Sequence, residues 1–241
     1  GSGRAAHGDF SPGGNNVVID GGRNNAPTSN AFSSVDRLNV NFGTLTYSST
    51  TFQMGEGRTD HASSFFFDPT TNALKLLVTG GAPHGASSTN PSSTANVYCF
   101  TPTEQISSTA NVMASPRRGH TATWAPNNRV YVIGGESTPG SATNSIEQYE
   151  PESNMFTTPI FSTSNPFLAN ARRGHTATLL PNGKILIAGG FDPASPTTAL
   201  PAELFDPATN QMVPFNSTQL PTLDFVDHTA TRLANGWVLL A

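Results

Sequence analysis

Charge is scarce in this 241-residue chain: Asp, Glu, Lys and Arg make up 12% of it, and the formal net charge is −4. So sparse and slightly acidic a surface offers no electrostatic footprint for nucleic acid or for an anionic membrane. Cysteine occurs once, at Cys99, which excludes an intramolecular disulfide framework. No apolar run approaches the roughly 20 residues of a membrane-spanning helix, and no signal-peptide pattern is visible. What the chain holds instead is 22 Gly, 19 Pro and 15 Phe in a background of Ser, Thr and Asn. Abundant turn-formers and few charges describe many short strands rather than helices.

The heptapeptide RRGHTAT stands at 117–123 and again, letter for letter, at 172–178. It belongs to a longer repeat. Five of the six histidines, His7, His61, His120, His175 and His228, are separated by 54, 59, 55 and 53 residues. Arg precedes four of them by three positions, at Arg4, Arg58, Arg117 and Arg172, and Phe225 takes that place in the fifth. A glycine pair follows at Gly21-Gly22, Gly80-Gly81, Gly134-Gly135 and Gly189-Gly190. The units run at approximately 1–54, 55–113, 114–168, 169–221 and 222–241, all within one domain.

Each unit reads as four strands. In the fourth, a β-rich run from His175 to Leu180 meets the turn Pro181-Asn182-Gly183. A mostly apolar strand from Lys184 to Ala188 then ends at the glycine pair. After a polar loop come Ala202–Phe205, the turn Asp206–Asn210, and a last strand from Gln211. The second unit is five residues longer between its His and its glycines, and the excess falls in a turn at Asp68–Asn72. Insertions that land in turns support the strand reading.

A four-stranded unit of about 50 residues marked by Gly-Gly is the signature of a propeller blade. The pattern resembles the Kelch repeat: Arg172, His175, Gly189-Gly190 and the aromatic–Asp-Pro turn Phe205-Asp206-Pro207, with Tyr149-Glu150-Pro151 one unit earlier. The resemblance implies an all-β propeller of four-stranded antiparallel blades, about four and a half of them, from a ring of six or seven. A segment of a longer propeller is expected, with completion by another chain as the alternative. The family's usual aromatic in the fourth strand is replaced by Met155-Phe156 and Met212-Val213, which predicts looser outer strands.

A residue needed at one phase in every blade is read first as architecture. Paired glycines allow positive φ and close backbone approach, and the recurring Arg and His satisfy buried carbonyls between blades. The competing reading presents Arg117 and Arg172 to an acidic or polyhydroxy ligand at one face. The loops after the glycine pairs differ in length and sequence, and variable loops on a rigid scaffold are where binding resides. Arg23, Asn24, His84, Glu136 and Asp192 are the polar candidates there, and Asn216 lies in a glycosylation triplet.

The resemblance extends to copper radical oxidases of the galactose-oxidase class, whose metal is held by Tyr and His with one Tyr linked to Cys. Here Tyr98 and Cys99 are neighbours on a predicted strand and point to opposite sides. No Tyr-His pair occurs, and Cys99 is expected to be a small core residue. No cofactor is therefore expected, with copper belonging only to that alternative. The favoured reading is a non-enzymatic, extracellular binding or assembly module. It recognises protein or carbohydrate through loops on one face, with self-association through open sheet edges as a further alternative.

Overall fold

The computed structural model describes residues 57–82, 90–99, 105–158, 167–214 and 225–241, together with the backbone of strands at 7–8, 16–20, 34–41 and 46–53. The first unit pairs β1 (His7–Gly8), β2 (Asn16–Asp20), β3 (Ser34–Asn41) and β4 (Thr46–Gln53) in that order. The second pairs β5 (Ala62–Asp68), β6 (Ala73–Thr79), β7 (Ala95–Cys99) and β8 (Gln105–Ser108). In the third, β9 (Thr121–Trp124) and β10 (Val130–Ile133) are followed by a small hairpin, β11 (Glu136–Thr138) and β12 (Ser141–Ala142). The sheet then resumes with β13 (Ile146–Glu150) and β14 (Met155–Thr157). The fourth is β15 (Arg173–Leu179), β16 (Ile185–Phe191), β17 (Glu203–Asp206) and β18 (Gln211–Val213), and a hairpin of β19 (Ala230–Arg232) and β20 (Val238–Leu240) follows.

Every pairing is antiparallel and, apart from β10–β13 where the β11–β12 hairpin intervenes, joins sequence neighbours, so each sheet is a meander. The first strands of successive units, β1, β5, β9, β15 and β19, lie side by side, which stacks the sheets as blades about a common axis. Among the described residues there is no helix, and therefore none long and apolar enough to cross a membrane.

The second strand of each blade explains the stacking. Side chains alternate between faces with period two, so a strand buried on both faces must be apolar throughout. In β10 all four residues are buried. Val130 and Val132 join Phe66, Leu77, Val97 and Tyr149 in a cluster toward the second blade, while Tyr131 and Ile133 join Ile185, Ile187 and Phe205 toward the fourth. The aromatic before each turn packs edge-on across the gap: Phe66 against Tyr149 at 5.3 Å, Tyr131 against Phe205 at 5.0 Å.

The outer strand of the third blade is not loose. Phe156 is buried and stacks on Tyr149 at 5.3 Å, so it fills the place expected of a larger aromatic, while its neighbour Met155 points outward. Cys99 differs from expectation too: at the end of β7 it is half-buried rather than a core residue, whereas Tyr98 is buried.

The turns hold by side-chain hydrogen bonds. Asp68 accepts from Thr70 N at 2.8 Å, Thr70 Oγ1 at 2.6 Å, Thr71 Oγ1 at 2.8 Å and Lys75 Nζ at 2.5 Å. Burial by itself would raise this carboxyl, but Lys75 and the threonines outweigh it and hold it well below the usual carboxylate range.

Truncating an inter-blade aromatic should cost far more than truncating an outer-strand residue. Phe205→Ala is expected to lose about 3–5 kcal/mol in urea denaturation, and Met155→Ala less than about 1 kcal/mol.

Candidate functional site

Where one blade meets the next, the Arg-x-x-His segment and the glycine pair form a joint with a fixed plan. The first glycine of each described pair lies beneath the imidazole of the following blade. A Cβ added to Gly80 would fall 2.7 Å from His120 Cε1, to Gly134 2.8 Å from His175 Cε1, and to Gly189 2.5 Å from His228 Cε1. These glycines also take φ of +58°, +60° and +65°, in the left-handed region that other residues avoid. The second glycine packs against its own blade's histidine and donates its N–H across the gap. Gly81 N bonds Arg117 O at 2.7 Å, Gly135 N bonds Arg172 O at 2.9 Å, and Gly190 N bonds Phe225 O at 2.7 Å.

The remaining letters of RRGHTAT find their places in the same joint. The residue before each histidine (Asp60, Gly119, Gly174, Asp227) also takes positive φ. Main-chain bonds link them blade to blade: Gly119 N to Asp60 O at 2.7 Å, Gly174 N to Gly119 O at 2.9 Å, Asp227 N to Gly174 O at 2.9 Å. Each imidazole Nε2 pairs with a threonine hydroxyl of the preceding blade: His120 with Thr79 at 2.8 Å, His175 with Thr121 at 3.2 Å, His228 with Thr176 at 3.1 Å. Thr123 Oγ1 donates to Ala177 O of the next blade at 3.2 Å.

The first arginine of the motif is spent inside its own blade. Arg117 and Arg172 are both 0% exposed. Arg117 donates to Gly134 O at 2.7 Å and to Ser145 Oγ and Glu147 Oε1, each at 2.7 Å. Arg172 donates to Gly189 O at 2.9 Å, Pro201 O at 2.8 Å and Glu203 Oε1 at 2.7 Å. Glu147 and Glu203 complete their shells with the backbone N–H groups of Ala114 and Ser115, and of Ala169 and Asn170. Arg58 does the same work with Gly80 O at 3.1 Å, Thr94 O at 2.9 Å and Asn96 Oδ1 at 2.9 Å. Burial lowers the Arg172 guanidinium while Glu203 acts to raise it. Burial first, and then the charge of Arg172, push His175 down to about 3; burial and Arg117 likewise hold His120 well below its ordinary range.

The second arginine differs. Arg118 and Arg173, in adjacent blades, converge on one carboxylate, Glu136, the residue after the third glycine pair. Arg118 is bidentate, with Nε to Oε2 and Nη2 to Oε1 both at 2.9 Å, and Arg173 Nη1 donates to Oε2. Gly140 N, at the tip of the β11–β12 hairpin, donates to Oε1 at 2.5 Å. Arg173 also lies over the Phe191 ring at 5.7 Å. Glu136 is 2% exposed, and while burial alone would raise its carboxyl, these donors lower it. This cluster ties the post-glycine hairpin of the third blade to the fourth.

The candidates read from sequence are thus distributed as follows. Glu136, Arg117 and Arg172 are buried, Glu136 beneath the loop face and the two arginines within their blades. Asp192 is half-buried in the loop after the fourth glycine pair, where its Oδ1 accepts from Ala194 N at 3.0 Å. Arg23, Asn24, His84, Asn216, Gly21 and Gly22 lie outside the described residues, as does the side chain of His7. Sequence reading missed Glu147 and Glu203, although a signal exists: each stands two residues before the blade's aromatic, as Asn96 does before Tyr98.

Among the described residues no three His, Cys, Asp or Glu side chains converge as a metal set. Two buried tyrosine hydroxyls hold turns, Tyr131 donating to Asn210 Oδ1 at 2.9 Å and Tyr149 to Asn154 Oδ1 at 2.8 Å.

Blades stacked about an axis through repeated joints of this kind define a β-propeller. The Kelch motif is matched over residues 116–157. The solved structure of YjhT is similar in fold, with a TM-score of 0.58 at 16% identity, and the match covers 78% of this chain. The chain spans 59% of that structure's length. No curated protein matches it in sequence.

The joint makes two stability predictions. Gly189→Ala, which meets both His228 and the left-handed φ, should lose more than about 3 kcal/mol, whereas Gly140→Ala, with nothing within 4 Å, should lose about 1 kcal/mol in thermal or urea melts. The two arginines of one motif should separate just as clearly. Arg172→Gln strips a buried partner from Glu203 and is expected to cost about 3–5 kcal/mol. Arg173→Gln leaves Glu136 paired with Arg118, and should cost about 1 kcal/mol or less on the same urea curve.

Proposed function

We propose that this chain is a non-enzymatic binding module whose loops after the glycine pairs recognise a protein or carbohydrate ligand. The Kelch-repeat propeller fold supports a protein-interaction module in general. The observation that carries the finer reading is the Glu136 cluster. A carboxylate held by arginines from two blades fixes the β11–β12 hairpin on the scaffold, so its tip is presented in one orientation. Preorganised loops bind with less ordering cost than mobile ones. The joints absorb the recurring Arg and His, which leaves ligand contact to the residues that vary between blades. The scarcity of charge and the richness in Ser, Thr and Asn support an extracellular setting.

Glycan and secreted-protein arrays would identify ligands of the intact chain. Replacing residues 137–139 and 193–198 by Gly-Ser segments of equal length should abolish that binding while the melting temperature stays within a few degrees. Binding that survives both replacements would overturn the loop-face reading.

A further inference from the structure

Three consecutive joints each contain a histidine with nowhere to put a second proton. The rings of His120, His175 and His228 sit on the first glycine of the preceding blade, so they cannot swing without parting the blades. Their Nε2 atoms are occupied by Thr79, Thr121 and Thr176. Their Nδ1 atoms are buried and meet no acceptor. A neutral imidazole, with one N–H and one lone pair, fits this arrangement, whereas an imidazolium would carry a second, unpartnered N–H.

The charges around the rings add to that cost. His120 faces the Arg117 guanidinium and, at longer range, His61 and His175. His175 faces Arg172 and His228. The carboxylates that pair with those arginines, Glu147 and Glu203, are each already bonded to them. His228 alone of the three has, among the described residues, a carboxylate acting to raise it, Asp227. Opposite charge on Asp227 offsets its burial in part, so the three joints are graded rather than identical.

We infer that the inter-blade joints act together as an acid-sensitive latch, closed while His120, His175 and His228 are neutral and opened when they take up protons. Opening would part the blades that carry the loops, so acid would release a ligand held across them. That consequence rests on the loop-face reading, but the latch itself needs no ligand to be observed, and the two fail separately.

The sign follows from proton counts. Below an unfolded histidine's ordinary value the open chain binds a proton that the closed joint refuses, so stability falls as pH falls. The carboxylates Glu136, Asp68 and Asp206, held below their usual range, lose their stabilisation only below about pH 4.5. The interval between about 6.5 and 4.5 therefore belongs to the imidazoles.

Urea titration across that interval should show the unfolding constant rising by up to about tenfold per pH unit for each histidine, approaching a thousandfold for three. His175→Asn should remove about one factor of ten from that slope. In parallel, the Cε1–H resonances of the three rings should hold the neutral position until the chain opens, a measurement on the wild-type protein that stands even where the variant fails to fold. Rings that titrate one by one near pH 6.5 in the folded chain would overturn the latch. So would a flat stability profile down to about pH 4.5.

Discussion

An imidazole resting on a glycine α-carbon is the contact from which the other features of this protein follow. It demands a residue without Cβ on one blade and a flat, uncharged ring on the next. Because the ring lies at the start of the innermost strand, it sets the distance at which two sheets can approach. At that distance β10 is covered on both faces, and the aromatic residues of strands β13 and β17 reach the preceding blade. Main-chain bonds from Gly81, Gly135 and Gly190 then close across the same gap. The apolar packing supplies the bulk of the stabilisation, and the joint decides its geometry.

The same arrangement separates support from display. Arg117 and Arg172 look reactive as letters, yet both are fully buried and their terminal nitrogens are bonded to carbonyls, a hydroxyl and carboxylates of their own blades. Arg118 and Arg173, one position on, are absent from the second unit, where Thr59 stands, and from the fifth, where Val226 stands. They answer no requirement of the repeat. Their meeting on Glu136 is local to one pair of blades, and it anchors a loop rather than a sheet. Recurrence marks the scaffold here, and departure from recurrence marks the face.

Much of this was legible from residue order. Histidine and paired glycines in phase predict four-stranded antiparallel blades, and the strands between them follow from alternation and from turns such as Pro181-Asn182-Gly183. Three things were hidden. Glu147 and Glu203 each share a short strand with a second acidic residue, Glu150 or Asp206, and the position of Arg117 and Arg172 in space explains which of the two is buried. The joining of Arg118 to Arg173 crosses 55 residues of chain, and no local pattern announces it. Phe156 has no neighbour in sequence to show that it reaches Tyr149. Long-range side-chain pairing is written in distance, and strand period reports only which face a residue occupies.

Phe225 stands where the other blades place their arginine. Its side chain is about half exposed beside the His228 ring, yet its carbonyl still receives the Gly190 amide at 2.7 Å. The part of the device that joins neighbours is thus peptide backbone, which every amino acid except proline's missing amide supplies equally. Mutation can erase the recognisable lettering from a blade while the wheel keeps turning on the same hinge of amide and oxygen. Divergent members of such a lineage would look unrelated on paper and superimpose in three dimensions.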